Sequence, residues 1–175
     1  MTGADKASTR TIFTQVVDRP ARKLILKRGK EATEYFAFCE EVGCDVWGIL
    51  SSIKEAIHEP VGMWLPDGLR TPGTSKYAQG VEVPADYDGP VPEDMELVDL
   101  SPCKMMVFHG QPYPDENFGD AIDEMWTAID AYKPEVYGWE WADTEAPRYQ
   151  LEPRGERGYI EARPVHALKT DAATA

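Results

Sequence analysis

The order of predicted elements repeats along this chain, and the repeat limits the folds open to it. Strand, helix, strand, strand lead to a proline-containing connection at 84–94, and the same order follows it. A duplicated unit of this kind predicts two halves that share one core. The ends of the halves are also alike, because "GVEVP" (80–84) closes the first and "YIEARP" (159–164) closes the second.

The helices are predicted from apolar residues spaced three and four apart. They cover about 31–56 and 116–132, and Gly43 is expected to divide the first into two pieces that restart at Asp45. Strands are predicted where short apolar runs end at proline or glycine. These runs lie at 11–29 with an interruption at Pro20, and at 61–65, 77–83, 97–110, 136–143, 147–153 and 157–165.

The polar and small residues at both ends of the chain predict flexible segments at 1–10 and 167–175. Between them we expect a single domain at 11–166. Its first half would cover about 11–84 and its second about 97–166.

The charge of the chain excludes one class of partner. The chain has 31 acidic and 18 basic residues among 175, a net charge of -13. This balance repels phosphate backbones, so no direct nucleic-acid binding is expected. No apolar run is long enough to span a bilayer, and the opening "MTGADKASTRT" lacks the apolar core of a signal peptide. We therefore expect a cytoplasmic protein without a membrane partner.

The sequence predicts neither a metal nor a cofactor. Cys39, Cys44 and Cys103 are expected to be free thiols, since no matching cysteine or histidine pair accompanies them. Neither a G-x-G-x-x-G motif nor a P-loop is present, so nucleotide cofactors have no support.

Three segments resemble the gyrase-inhibitor-like (GyrI-like) family, which is related to the effector-binding domains of AraC-type and MerR-type regulators. They are "GMWLPDGLRTPGTSKYAQGVEVP", "PCKMMVFHGQPY" and "GWEWADTEAPRYQLEPRGERGYIEARPV". The resemblance covers about residues 11–166 and rests on the overall pattern. It implies an α+β fold in which duplicated β-α-β-β halves form a pseudo-twofold antiparallel sheet. Helices would cover one face, and a ligand concavity would lie on the other.

The resemblance also implies a function. Many members of the family bind bulky, often cationic, aromatic compounds by means of aromatic walls and a buried glutamate near the end of the last strand. We expect a stand-alone small-molecule-binding protein for xenobiotic sensing or sequestration. One alternative is a hydrolase that opens the strained ring of cyclopropane-containing DNA-alkylating compounds, and another is a gyrase-inhibitor-type protein-interaction module.

Glu161 matches the family's glutamate by its position in its strand. Residues two apart share a strand face, so Tyr159 and Arg163 point the same way as Glu161. We expect the helices to cover the Ile160 face and the Glu161 face to line the concavity. Glu161 would then bind a cation, or serve as the catalytic group if the protein is a hydrolase. The alternative is a solvated pair of Glu161 with Arg163.

Further ligand-binding candidates accompany Glu161 and Tyr159. Trp139 and Trp141 share a strand face and would form either pocket wall or sheet core. Met105 lies in the 97–110 strand, and Glu82 is interpreted as the first-half counterpart of Glu161.

The charge gives a first testable prediction. At moderate salt the isolated protein should not bind duplex DNA, because the electrostatic contribution to the binding free energy is repulsive. An electrophoretic mobility shift titration checks this. A salt-sensitive shift at about micromolar protein would contradict it.

Overall fold

The computed structural model describes residues 11–169, and in these residues one nine-stranded sheet carries three helices. The predicted flexible segment 1–10 lies outside the described residues, as does the part of the tail 167–175 beyond 169. Within the described residues, no helix is long and apolar enough to cross a membrane.

The strands are β1 (Phe13–Arg19), β2 (Arg22–Arg28), β3 (Val61–Trp64), β4 (Tyr77–Pro84), β5 (Glu96–Leu100), β6 (Cys103–His109), β7 (Trp139–Trp141), β8 (Arg148–Leu151) and β9 (Ile160–Ala167). The helices are α1 (Tyr35–Val42), α2 (Val46–Ser51) and α3 (Phe118–Ala131). Single 3-10 turns lie at Asp67–Leu69, Asp115–Asn117 and Pro134–Tyr137.

The sheet is symmetric about its centre. Its order is β1-β6-β9-β8-β3-β4-β2-β5, with β7 paired to β9, and every pair is antiparallel. The β8–β3 contact is the centre of the sheet. On one side the second half contributes β8, β9 and β6, and on the other the first half contributes β3, β4 and β2. The outermost strands are exchanged, because β1 pairs with β6 of the second half and β5 pairs with β2 of the first. The predicted α+β class with duplicated β-α-β-β halves is confirmed.

Local chemistry accounts for the division of the first predicted helix. The Glu34 carboxylate accepts hydrogen bonds from the backbone N–H groups of Phe36 and Ala37 at 2.9 and 2.7 Å, and so caps the start of α1. Gly43 then has φ 90°, a left-handed conformation that side chains disfavour and that ends the helix. The chain resumes as α2, as the glycine predicted.

Two predicted strands each prove to be two strands with different partners. The 97–110 run divides at Ser101 and Pro102, because β5 pairs with β2 whereas β6 pairs with β1 and β9. The 11–29 run divides at Pro20 for the same reason: β1 joins β6, and β2 joins β4 and β5.

All three helices pack on one face of the sheet. Helices α1 and α2 cover an apolar cluster that includes Ile25 and Val81, and α3 covers a second cluster that includes Phe108 and Tyr159. Glu161 lies opposite Phe108 in the β6–β9 register and therefore shares this face. The expectation that the helices cover the Ile160 face was wrong. Alternation tells which residues share a face, but not which face the helices will cover.

The opposite face has an apolar cluster of its own, which surrounds a buried group of ions. Glu82 is fully buried and accepts hydrogen bonds from Arg22 Nε at 2.8 Å and from the Tyr149 hydroxyl at 2.6 Å. The Arg19 guanidinium also contacts this carboxylate, and His58 Nε2 lies 3.4 Å from it. Burial alone would raise the pKa of Glu82, but the hydrogen bonds from His58 and Tyr149 and the charge of Arg22 hold it well below its usual range.

Glu82→Gln should therefore destabilise the fold by about 3–5 kcal/mol, because it leaves the buried Arg22 guanidinium without its ionised partner. The matched control is Asp18→Asn, which breaks an exposed pair with Lys104 and should cost less than about 1 kcal/mol. Urea denaturation of both variants measures the difference. Equal losses would show that the Glu82 cluster contributes no more than a surface pair.

Candidate functional site

A large cavity lies on the helix-bearing face, between the α1–α2 pair and α3. We call it the main cleft. Its volume is about 780 Å³, and Gly62 of β3 and Gln150 of β8 form part of its floor. The structure thus differs from the sequence analysis, which placed the ligand concavity on the face opposite the helices. The cleft arises because the two helix groups pack on separate clusters and leave the centre of the sheet between them.

Seven aromatic side chains line the main cleft: Tyr35, Phe36, Trp47, Trp64, Tyr77, Phe118 and Trp126. Several are unusually exposed for their type. Phe36 is 61% exposed and Phe118 is 40% exposed, so rings from both helix groups face the solvent at the mouth. Exposed aromatic groups around a concave site are typical of a ligand-binding surface.

The charged residues that line the main cleft are all acidic: Glu34, Asp115, Asp123 and Glu152. Among residues 11–169 no lysine, arginine or histidine contributes to this lining. Glu34 and Asp115 also accept backbone hydrogen bonds, and Glu152 pairs with Arg154 outside the cleft. The cleft therefore combines large apolar surfaces with negative charge, which favours a hydrophobic cation.

A chain of aromatic contacts runs beneath the main cleft from the first half to the second. Phe38 of α1 packs on Tyr77 at 5.4 Å between ring centroids, Tyr77 on Trp64 at 5.8 Å, and Trp64 on Trp126 of α3 at 6.3 Å. All three contacts are edge-to-face, a favourable geometry for aromatic pairs. Gly62 makes room for this chain, because a Cβ there would lie 2.6 Å from the Tyr77 hydroxyl.

Trp64 and Trp126 also line a second cavity of about 460 Å³, which we call the side pocket. Since both rings line both cavities and touch each other, they form the wall between them. The charged residues of the side pocket are of both signs: Lys76, Asp130, Asp143, Arg148 and Arg163.

Glu161 lies behind this aromatic wall and is fully buried. Arg148 on the neighbouring strand β8 contacts only Oε1 of its carboxylate, with Nε and Nη2 each at 3.2 Å. Oε2 has no hydrogen-bond partner in the described structure. The predicted alternative, a solvated pair with Arg163, is not what the structure holds. Arg163 binds Asp143 at 2.7 and 2.9 Å instead and lies 4.1 Å over the Trp141 ring.

Burial raises the pKa of Glu161 to about 7, even though the charge and hydrogen bond of Arg148 oppose the shift. The Trp126 indole N–H faces the carboxylate and also lowers its pKa, without forming a hydrogen bond of ordinary geometry. A carboxyl group that titrates near neutrality can bind a cation when ionised. It can also exchange a proton as a general acid or base, so the hydrolase alternative stays open.

Six buried side-chain polar atoms of the described residues have no hydrogen-bond partner, and four of them lie on the helix-bearing face at or near the main cleft. They are the Tyr77 hydroxyl and Trp126 Nε1, whose side chains line the cleft, and Gln79 Nε2 and Glu161 Oε2, which lie outside the lining. Native structures leave few such atoms, and clusters of them point to a functional region. Tyr77 and Trp126 therefore bring a hydroxyl and an indole N–H to the lining of the cleft.

The structure separates the predicted site residues. Tyr159 stays with Glu161: its hydroxyl accepts a hydrogen bond from Gln150 Nε2 at 2.8 Å, next to the cleft floor. Trp139 and Trp141 are half-buried and pack against the α3 cluster rather than along the cleft. Met105 and Glu82 lie on the opposite face of the sheet.

The first-half counterpart of Glu161 is Gln79 rather than Glu82. Tyr77 and Tyr159 occupy equivalent positions at the start of β4 and of β9, and the residue two places after each faces the helices. The two glutamates that the sequence analysis aligned therefore point to opposite faces.

Sequence reasoning missed most of the cleft. The ligand-binding residues predicted from the sequence do not include Phe36, Trp47, Trp64, Phe118 or Trp126, although Phe118 and Trp126 belong to the apolar spacing of the second predicted helix. Four of these side chains lie on the helices and Trp64 lies on β3, and all five face the gap between the helix groups. Trp47, which lies off the apolar stripe of its helix, was the best available sign in the sequence.

The described residues contain no cluster of histidine, cysteine and carboxylate side chains that could hold a metal ion. The cysteines are free: Cys44 is exposed at the rim of the main cleft, while Cys39 and Cys103 are half-buried.

Comparisons with known proteins identify the fold alone. No protein-family model matches the chain, and no curated protein matches its sequence. The fold is similar to that of SAV2435 bound to tetraphenylphosphonium, with a TM-score of 0.51 and 15% identity over 88% of this chain and 94% of that chain. This likeness concerns the fold alone.

Two solved structures with lower scores also match most of the chain. The EcmrR C-terminal domain has a TM-score of 0.49 and 8% identity, over 90% of this chain and 99% of that chain. A hydrolase encoded by lin2189 from Listeria innocua has a TM-score of 0.41 and 14% identity, over 87% and 91%.

The raised pKa of Glu161 predicts a pH dependence of stability. Between its ordinary value of 4.5 and about 7, the folded state binds the Glu161 proton more tightly than the unfolded state does. The contribution of this group to the free energy of unfolding is therefore lost as pH rises through this window. Glu161→Gln has no titrating proton at this position and so does not lose this contribution. The free energy of unfolding of the variant minus that of wild type should therefore increase by about 2–4 kcal/mol from about pH 5 to about pH 8.

Urea denaturation at both pH values measures this difference. Glu93→Gln, a change at an exposed loop carboxylate, is the control and should follow wild type at both values. A difference between Glu161→Gln and wild type that does not change with pH would contradict the prediction.

Proposed function

We propose that this protein binds bulky hydrophobic cations in the main cleft and acts in the sensing or sequestration of such compounds. The observation that carries the proposal is the lining of the cleft: seven aromatic side chains and four carboxylates, without a basic residue among those described. The volume of about 780 Å³ fits a molecule of several aromatic rings.

The two kinds of side chain would contribute differently. Aromatic faces bind apolar rings of either charge, and they add a cation–π attraction when the ligand is positive. The carboxylates at the rim select by sign, since they attract a cation and repel an anion of the same shape. In support, SAV2435, which shares this fold, is bound to tetraphenylphosphonium, a cation that carries four phenyl rings.

The test uses two probes of the same shape and opposite charge, tetraphenylphosphonium and tetraphenylborate. Isothermal titration calorimetry should give at least about tenfold tighter binding of the cation, because the carboxylates of the cleft favour it. Equal affinities, or tighter binding of the borate, would refute a cation-selective cleft.

Matched variants locate the site. Phe118→Ala should weaken binding of tetraphenylphosphonium about three- to thirtyfold through the loss of a wall. Phe13→Ala, at an aromatic residue that is 67% exposed on β1, should leave binding unchanged. Asp123→Asn should weaken cation binding about two- to fivefold, whereas Asp120→Asn on the same helix but outside the cleft should not.

A further inference from the structure

Arg148 occupies the position that a ligand's positive charge would take beside Glu161. Its guanidinium lies within 3.2 Å of Oε1 and 5.7 Å from the centroid of the Trp64 ring. A charge that contacts both a carboxylate and an aromatic face is the arrangement expected for a bound aromatic cation. Here a side chain of the protein itself supplies that charge.

The Arg148–Glu161 ion pair has poorer geometry than is usual for a buried ion pair. Both Arg148 contacts go to the same carboxylate oxygen at 3.2 Å, whereas a fork-to-fork pair uses both oxygens at shorter distances. The neighbouring Arg163–Asp143 pair has that tighter geometry, at 2.9 and 2.7 Å on separate oxygens. Glu161 Oε2 is left buried without a partner, so the existing contact does not satisfy the carboxylate.

The side pocket offers the Arg148 side chain an alternative position. Its side chain is 27% exposed, and it lines the side pocket together with Asp130 and Asp143. The Asp143 pKa is lowered mainly by its hydrogen bond from Arg163 and further by the charge of Arg148, so Arg148 already lies within electrostatic reach of a second carboxylate. Moving the guanidinium toward the side pocket would thus exchange one carboxylate for another in place of leaving a charge unpaired.

We infer that Arg148 is a specificity-determining residue that competes with cationic ligands for Glu161. A cation held in the main cleft at the Trp64–Trp126 wall displaces the guanidinium into the side pocket and takes over the Glu161 carboxylate. A neutral or anionic ligand gains nothing by doing so, because it offers Glu161 no positive charge in place of the guanidinium. This inference rests on the proposed function of the main cleft and adds the step by which the buried carboxylate becomes available.

Arg148→Gln tests the competition. Calorimetry is carried out at about pH 9, because the loss of Arg148 raises the Glu161 pKa further above its ordinary value. The variant should then bind tetraphenylphosphonium about three- to thirtyfold more tightly than wild type, since the competing charge is gone. The affinity for the neutral probe triphenylphosphine oxide should stay within about twofold. Lys76→Gln is the matched control, because it removes a positive charge from the same pocket that pairs with neither Glu161 nor Asp143 in the described structure, and it should not increase cation binding.

The gain must depend on Glu161. The double variant Arg148→Gln/Glu161→Gln should bind the cation no more tightly than Glu161→Gln alone. An equal gain with and without Glu161 would overturn the inference, as would unchanged or weaker cation binding by Arg148→Gln. If Arg148→Gln does not fold, Arg148→Lys replaces it. Its single ammonium competes less well than a guanidinium and should give a smaller gain, and no gain would again overturn the inference.

The two proposals fail in different ways. If wild type prefers tetraphenylphosphonium and Phe118→Ala weakens its binding, the proposed function stands whatever Arg148→Gln does. In that case, if Arg148→Gln binds the cation no more tightly than wild type does, only the inference about Arg148 is overturned. If neither wild type nor Arg148→Gln binds the cation, both proposals are overturned.

Discussion

The division of side chains between the two faces of the sheet determines where a ligand can bind. Each half places its helices over its own apolar cluster, and these clusters lie on either side of the central strands β3 and β8. At the centre the helix-bearing face carries Gly62 and Gln150, which give a helix little apolar surface to cover. The cleft is therefore a consequence of the duplication: two cores need two helix groups, and the polar row between them stays open.

Two buried carboxylates show how the number of donors decides what a buried charge does. Glu82 is contacted by two arginines, a tyrosine and a histidine, so its ionised form is strongly favoured and it acts as part of the fold. Glu161 has one ion-pair partner, Arg148, at one oxygen, with weaker contributions from Trp126 and Tyr159, and burial raises its pKa to about 7. A buried carboxylate with too few hydrogen-bond donors lowers the stability of the folded state, and functional sites often contain groups of this kind.

The sequence predicted what local patterns control. Helical spacing located both helical regions, Gly43 marked the break, and the repeated element order gave the duplicated fold. What failed depends on pairing between distant strands. The run at 97–110 is continuous in the sequence, but its two parts join different partners. Similarly, the likeness of "GVEVP" to "YIEARP" suggested Glu82 as the counterpart of Glu161. The strand register shows that it is Gln79, because Gln79 lies opposite Gly62 as Glu161 lies opposite Gln150.

Selection by charge can operate at two depths in this molecule. At the mouth, carboxylates such as Asp123 act through solvent, where each contributes little to affinity and salt weakens it further. Behind the Trp64–Trp126 wall, Glu161 acts where the dielectric is low and a unit charge counts for more, but Arg148 neutralises it until a competitor arrives. A cation that gains little from the aromatic walls would interact only with the carboxylates at the mouth. A large, rigid aromatic cation, which gains enough from the aromatic walls to displace Arg148, would use both, so the arrangement discriminates by size as well as by charge.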